Sequence, residues 1–212
     1  MLLAVGCPRC PAPVLGSPGQ PVSCRDHGSI VPLLRSVHGG YDEFAEHLRL
    51  SEQLPTLLPW PLGGGWAVAD FGVVTRQDQP ARATFATCAG TTDADGVLEI
   101  SIVTEEPGVG LGARCAGLSR TDPGGEVGVE PAPLRLDVEG VTTPVWVVST
   151  SDADADFDRM VFAGESHGRW LWVVVRPASA ALVLHDLGAL VDVSGLGASL
   201  VDLPFTDHPP AW

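Results

Sequence analysis

The chain has no lysine and no asparagine. All 12 of its basic residues are arginine, set against 26 aspartates and glutamates. Both missing residues have AT-rich codons, so their absence reads as a GC-rich genome rather than as a functional choice. Positive charge is scarce, and the formal net charge is −14. Such a surface repels phosphate backbones, because nucleic-acid binding depends on basic groups that displace counterions. It likewise disfavours anionic membranes. No arginine cluster in the sequence overrides this average. Long apolar runs are also missing, and none approaches the roughly 18 residues that a membrane span needs. The start, MLLAVGC, faintly resembles a lipoprotein cleavage site before Cys7. It lacks a basic n-region, and its apolar run falls short of the roughly 7 residues of a minimal h-region. Five cysteines in no even disulfide ladder fit a reducing compartment with metal use, so the expected location is cytoplasmic. No G-x-S-x-G, H-E-x-x-H or kinase signature occurs.

Glycine and proline are plentiful, at 25 and 19 in 212 residues, and predict many turns and short elements. Apolar residues make up 45% of the chain, enough for a sizeable core. The expected fold is α+β. A mostly antiparallel β body, as one sheet or two packed sheets, would follow a small zinc-ribbon-like knuckle and one linking helix. The expected divisions are 1–36 for the knuckle, 37–56 for the helix and 57–212 for the body.

Residues 6–28 read GCPRCPAPVLGSPGQPVSCRDHG. Cys7 and Cys10 form a C-x2-C pair, Cys24 and His27 a C-x2-H pair, and 13 residues separate them. Two tight pairs on facing turns suit tetrahedral zinc, which takes thiolate and imidazole ligands. The competing reading is four unligated residues near a loose terminus, but two correctly spaced pairs are much more specific than one. A closed Cys3His set has no open position, so the zinc would be structural and its binding coupled to folding.

Residues 39–54 carry the best helical signal, with Tyr41, Phe44, Ala45 and Leu48 on one face. Pro55 ends it, and His47 is expected on the polar side. In LPWPLGGGW, Trp60 and Trp66 are expected to fill core more readily than to line a ligand pocket. From Trp66 onward most segments read as strands, including WAVADFGVVTR, ARATFATCAG, GVLEISIVTEE, PLRLDVEG, TTPVWVVST, DRMVFAGE, GRWLWVVVRP and AALVLHDL. Glu139-Gly140 marks a hairpin turn. SGLGASLVDLPF is expected as a short helix or an edge strand.

Val97–Leu118 runs from an alternating strand into the glycine-dense loop PGVGLGAR. Gly108, Gly110 and Gly112 permit positive φ and could form an anion-binding concavity, with Arg114 as a bidentate partner. The spacing fails the dinucleotide fingerprint, and Leu118 stands where a P-loop needs lysine. The alternative is a tight structural loop whose arginine pairs with Glu105 or Glu106. FAGESHGRWLW concentrates Glu165 and His167, which read either as a polar ligand site or as a hairpin tip over core tryptophans. DADADFD at 152–158 mimics a calcium loop but lacks its glycine and its bidentate glutamate. His185-Asp186 is weak as an oriented base. Cys88 and Cys115 read as buried thiols.

CPRC, WPLGGGW, EEPGVGLGARCAG, TPVW and FAGESHGRWLW together resemble blocks of an uncharacterised actinobacterial family, and the likeness covers most of the chain. The resemblance implies a cytoplasmic actinobacterial origin and no established activity. Members of that family carry tyrosine at the position of Cys115, which implies that this thiol is dispensable. Two functional expectations stand. The first is a non-catalytic zinc protein acting through protein contact or regulation, with a homo-oligomer possible. The second is a small-ligand binder or acyl/phosphoryl-transfer enzyme using the Gly108–Arg114 loop with Glu165 and His167.

Overall fold

Val97 to Glu105 alternates in the way a strand must if successive side chains point to opposite faces. In the computed structural model, which describes residues 3–16, 20–76, 79–92, 96–150 and 158–206, this segment is a central strand of a large sheet. In chain order the strands are β1 (Leu3–Gly6), β2 (Val14–Leu15), β3 (Val22–Cys24), β4 (Gly28–Ile30), β5 (Leu33–Ser36), β6 (Leu57–Trp60), β7 (Ala67–Val74), β8 (Ala83–Thr92) and β9 (Gly96–Glu105). They continue with β10 (Leu134–Val138), β11 (Val141–Thr150), β12 (Met160–Ser166), β13 (Arg169–Arg176) and β14 (Ala189–Asp192). Two α-helices accompany them, α1 (Tyr41–Leu50) and α2 (Leu111–Cys115).

Eleven strands form one sheet in the order β1-β5-β7-β8-β9-β13-β12-β11-β10-β14-β6, and β2-β3-β4 form a second, small sheet. Pairing between these strands is antiparallel except for a parallel contact between Val138 of β10 and Leu190 of β14, and Phe205 adds an isolated parallel bridge to Val68. The architecture is thus α+β with a mostly antiparallel body. Hairpin chemistry explains the local pairings. Glu139-Gly140 has φ of 53° and 77°, and His167-Gly168 has 52° and 76°. Two consecutive positive φ values match the strands' right-handed twist, and glycine makes the second one easy. Registers follow from these turns, with Ser166 opposite Arg169 and Val138 opposite Val141.

The sheet curls back on itself. β6, at the end of the strand order, lies against β8 and β9. Leu57 and Leu190 therefore pack with Leu98, Ile100, Leu136 and Val173 in one core cluster. Bulges between Val68 and Asp70 and between Val147 and Ser149 sharpen the bend. The opposite face of β9 and β13 is also covered. Val103, Trp172 and Val174 pack there with Leu111, Ala113 and Cys115 of α2.

α1 spans residues 41–50, shorter than the 39–54 helical signal, and its buried face is rotated from the expected one. Tyr41 and Ala45 are exposed, while Glu43, Phe44 and His47 are buried and Ser51 and Leu54 continue the face. Phe44 meets Phe71 edge-on at 4.9 Å, and His47, expected on the polar side, is fully buried beside it. The helix rests on β5 and β7.

Several further expectations change. Ala178–His185 is a 3-10 helix rather than a strand. The segment after β14, expected as a short helix or an edge strand, forms two 3-10 turns, Val193–Gly195 and Gly197–Leu200, which is the helical alternative. Residues 3–6 and 33–36, expected as flanks of the knuckle, are strands that pair with each other in the large sheet. Among the described residues no helix is long and apolar enough to cross a membrane. The DADADFD stretch lies outside the described residues, apart from Asp158.

Candidate metal centre

β1 delivers Cys7 directly from the large sheet, and the Pro8-Arg9 turn brings Cys10 back beside it. From the other side, β3 ends in Cys24, and the turn into β4 presents His27. Gly28 there has a φ of 66°, which a side chain rarely adopts. Val22 and Ile30 are buried beneath the turns with Cys7 and Cys24, a very small core. The ligand atoms of Cys7, Cys10, Cys24 and His27 all lie within 4.8 Å of one another.

The individual distances test whether a metal fits. His27 Nδ1 is 3.6 Å from Cys7 Sγ, 3.4 Å from Cys10 Sγ and 3.6 Å from Cys24 Sγ, and Cys10 Sγ lies 3.5 Å from Cys24 Sγ. A tetrahedral ion with metal–sulfur bonds of about 2.3 Å and a metal–nitrogen bond of about 2.0 Å has ligand–ligand edges of roughly 3.5–3.8 Å. The four residues therefore fit a single tetrahedral ion. All the thiols are free. The Arg9 N–H points at Cys7 Sγ from 3.4 Å, a contact that favours the thiolate. Burial nevertheless pushes the Cys7 thiol up to about 11. At Cys24 burial acts the same way, but N–H groups of Asp26 and His27 with the side chains of His27 and Cys10 outweigh it and bring the thiol down to about 6.

The knuckle is tied to the glycine loop. Arg9 donates from Nε to Val109 O at 3.0 Å and from Nη2 to Gly108 O at 2.7 Å, while Arg114 Nη1 donates back to the Cys7 carbonyl. The same loop is fixed from the body side. Asp122 Oδ1 accepts from Gly108 N at 2.8 Å and from the Trp170 indole at 2.9 Å. Glu105, fully buried, accepts from Leu111 N at 2.8 Å at the start of α2, and Glu106 pairs with Arg82 at 2.9 Å. Burial pushes the Glu105 carboxyl up to about 7, against the N–H groups of Leu111 and Gly112.

The loop glycines have separate steric reasons. Gly108 and Gly110 have φ of 81° and 87°. At Gly112 an added Cβ would lie 2.2 Å from the Trp172 ring, so only glycine lets α2 sit on β13. Glu165 and His167 lie on the exposed β12–β13 turn. Glu165 accepts from Gly168 N at 3.0 Å, and His167 bonds Ser166 at 3.0 Å, so both have local partners. Asp122, which no motif singled out, is what joins this hairpin to the loop. Cys88 and Cys115 are buried, as expected, with thiols raised by burial, and His185 is exposed.

The pattern that defines one protein family matches residues 1–211. The chain belongs to it: a family of unknown function, DUF6758. The match runs through the knuckle and the body alike, so the metal cluster is part of the family's region rather than an added segment. No curated protein matches the chain, and no solved structure does.

Proposed function

We propose that the chain is a non-catalytic zinc protein acting through contacts with other proteins, and that Cys7, Cys10, Cys24 and His27 hold one structural zinc. The observation that carries this reading is the closed four-ligand cluster, whose edges suit a tetrahedral ion. Three thiolates and an imidazole are a donor set favoured by zinc, and four protein ligands leave no position for a substrate. The zinc would hold together turns whose own core is only a few side chains.

Protein is the favoured partner class because the charge of −14 works against nucleic acid and anionic membrane. Exposed Leu15, at 76%, offers apolar contact on the small sheet of the knuckle. A second copy of the chain is one such partner. Five free thiols support a reducing, cytoplasmic setting, and arginine without lysine supports a GC-rich, actinobacterial source.

Native mass spectrometry of the untagged chain, set beside its denatured mass, tests the reading. The expected result is a gain of one zinc, together with dimer or a protein bound in fixed ratio. A chain that carries no metal overturns the zinc claim. Zinc with a retained small molecule and no protein partner overturns the interaction claim.

A further inference from the structure

Arginine supplies every fixed positive side-chain charge here, and the fold brings Arg9 to two others, Arg76 and Arg82, that flank the β7–β8 connection. Arg9, Arg76 and Arg82 line one cleft of about 190 Å³ between the Cys7–Cys10 turn and the large sheet. Ile30, Val74 and Val109 contribute apolar wall, and among the described residues none that lines it is acidic. The surrounding protein has more than two acidic groups for every basic one, 26 against 12. A concave site with this excess of guanidinium runs against the average of the molecule.

The way the arginines are held adds to the argument. Arg9 is braced by the carbonyls of Val109 and Gly108, and Arg76 Nη2 by Ile30 O at 3.0 Å. Backbone carbonyls fix a guanidinium's direction without cancelling its charge. Of the three, among the described residues, only Arg82 has a carboxylate partner, Glu106, through Nε, and both side chains of that pair are partly exposed, at 42% and 46%. Arg76 Nε is buried and has no hydrogen-bond partner among the described residues, so the outward-facing part of its guanidinium is the part available to the cleft. Guanidinium groups present planar forks of N–H donors that match phosphate and carboxylate oxygens.

We infer that this cleft binds a small organic oxyanion, a phosphate or carboxylate head carried on a short apolar body. The arginines take the head, and Ile30, Val74 and Val109 take the body. The site uses neither the four metal ligands nor Glu165 and His167, so it stands apart from the proposed interaction role.

The test is calorimetric titration of the full, metal-loaded chain in phosphate-free buffer with inorganic phosphate, phenyl phosphate and benzoate. Saturable one-to-one binding with a Kd of about 1 mM or tighter is expected, with an aromatic probe ahead of inorganic phosphate. Whether phenyl phosphate or benzoate binds more tightly identifies the head group. Arg76→Gln is expected to weaken the better probe at least about tenfold. Arg82→Gln, at a partly exposed position whose loss does not threaten folding, should do the same. Arg49→Gln, which breaks an exposed pair with Glu46 on α1, should leave binding unchanged. Failure of all three probes to saturate overturns the proposal, as does an equal loss in R49Q and R82Q.

Discussion

His47 and Glu105 are fully buried ionisable residues whose titrations act on stability in opposite directions. Burial brings His47 down to about 3 from 6.5. The unfolded chain then binds the extra proton, so the His47 contribution is complete above pH 6.5 and is lost as pH falls toward 3. Glu105 is raised to about 7 from 4.5, so the folded chain binds the extra proton. Its contribution is complete below pH 4.5 and is lost as pH rises through 7. Each has a limiting slope of about 1.4 kcal/mol per pH unit, and between about 4.5 and 6.5 the two offset each other. Urea unfolding of metal-loaded protein across that window checks this. Relative to wild type, His47→Gln should gain stability toward acid and Glu105→Gln should lose it; parallel pH profiles would refute the assignment. Sterics at single residues are equally specific. Gly112→Ala places a methyl into the Trp172 ring and is expected to cost about 1–3 kcal/mol or more. Gly108→Ala meets open space and should cost about 1 kcal/mol from its positive φ alone. Denaturant midpoints of the two variants should separate accordingly.

At the scale of elements, the knuckle and the glycine loop form one mechanical unit. Cys24→Ser is expected to release the metal, read by elemental analysis, and to remove amide-exchange protection from residues 7–30. Protection in β8, β9 and β13 should persist, because those strands are paired on both sides and buried by two separate clusters. Arg9→Ala removes two bonds to the loop while leaving the four ligands in place. Metal should therefore remain, while exchange around residues 108–110 and the Cys7–Cys10 turn accelerates. Loss of metal in that variant would mean that Arg9 shapes the ligand set itself.

For the whole molecule, the order of strands decides what metal loss can damage. The knuckle is inserted between β1 and β5, which pair with each other at one edge of the large sheet. Chelation is thus expected to unfold the small sheet and loosen that edge. The curled body, closed by β6 and β14 over β8 and β9, should stay folded. Circular dichroism should show a modest loss of strand signal on chelation, with a separate, later thermal transition for the body; a single cooperative collapse would contradict this division.

Local chemistry was legible in the residues. Paired C-x2-C and C-x2-H spacing and Glu-Gly at a hairpin each follow from a few adjacent side chains, and the structure brings the four Cys and His residues together and places the turn at 139–140. The alternation in β9 marked a strand, but both of its faces are buried from Ile100 to Glu105 because α2 covers the polar side. His47 was misplaced because a helical period fixes a face only to within a residue or so, and Phe71 and Phe205, far along the chain, chose which side was covered. The segment AALVLH reads as a strand, yet no neighbour offers it an open edge, and it closes into a 3-10 helix under β10 and β12–β13. The convergence of Arg9, Arg76 and Arg82 had no sequence signal, since residues some seventy positions apart meet only when the knuckle docks on β7 and β8. By itself the sequence determined the Cys/His cluster, the turns and the negative charge balance, because these depend on composition and on neighbours along the chain. Tertiary structure alone decided the curl of the sheet, the burial of His47 and Glu105 and the basic cleft, because those depend on long-range packing.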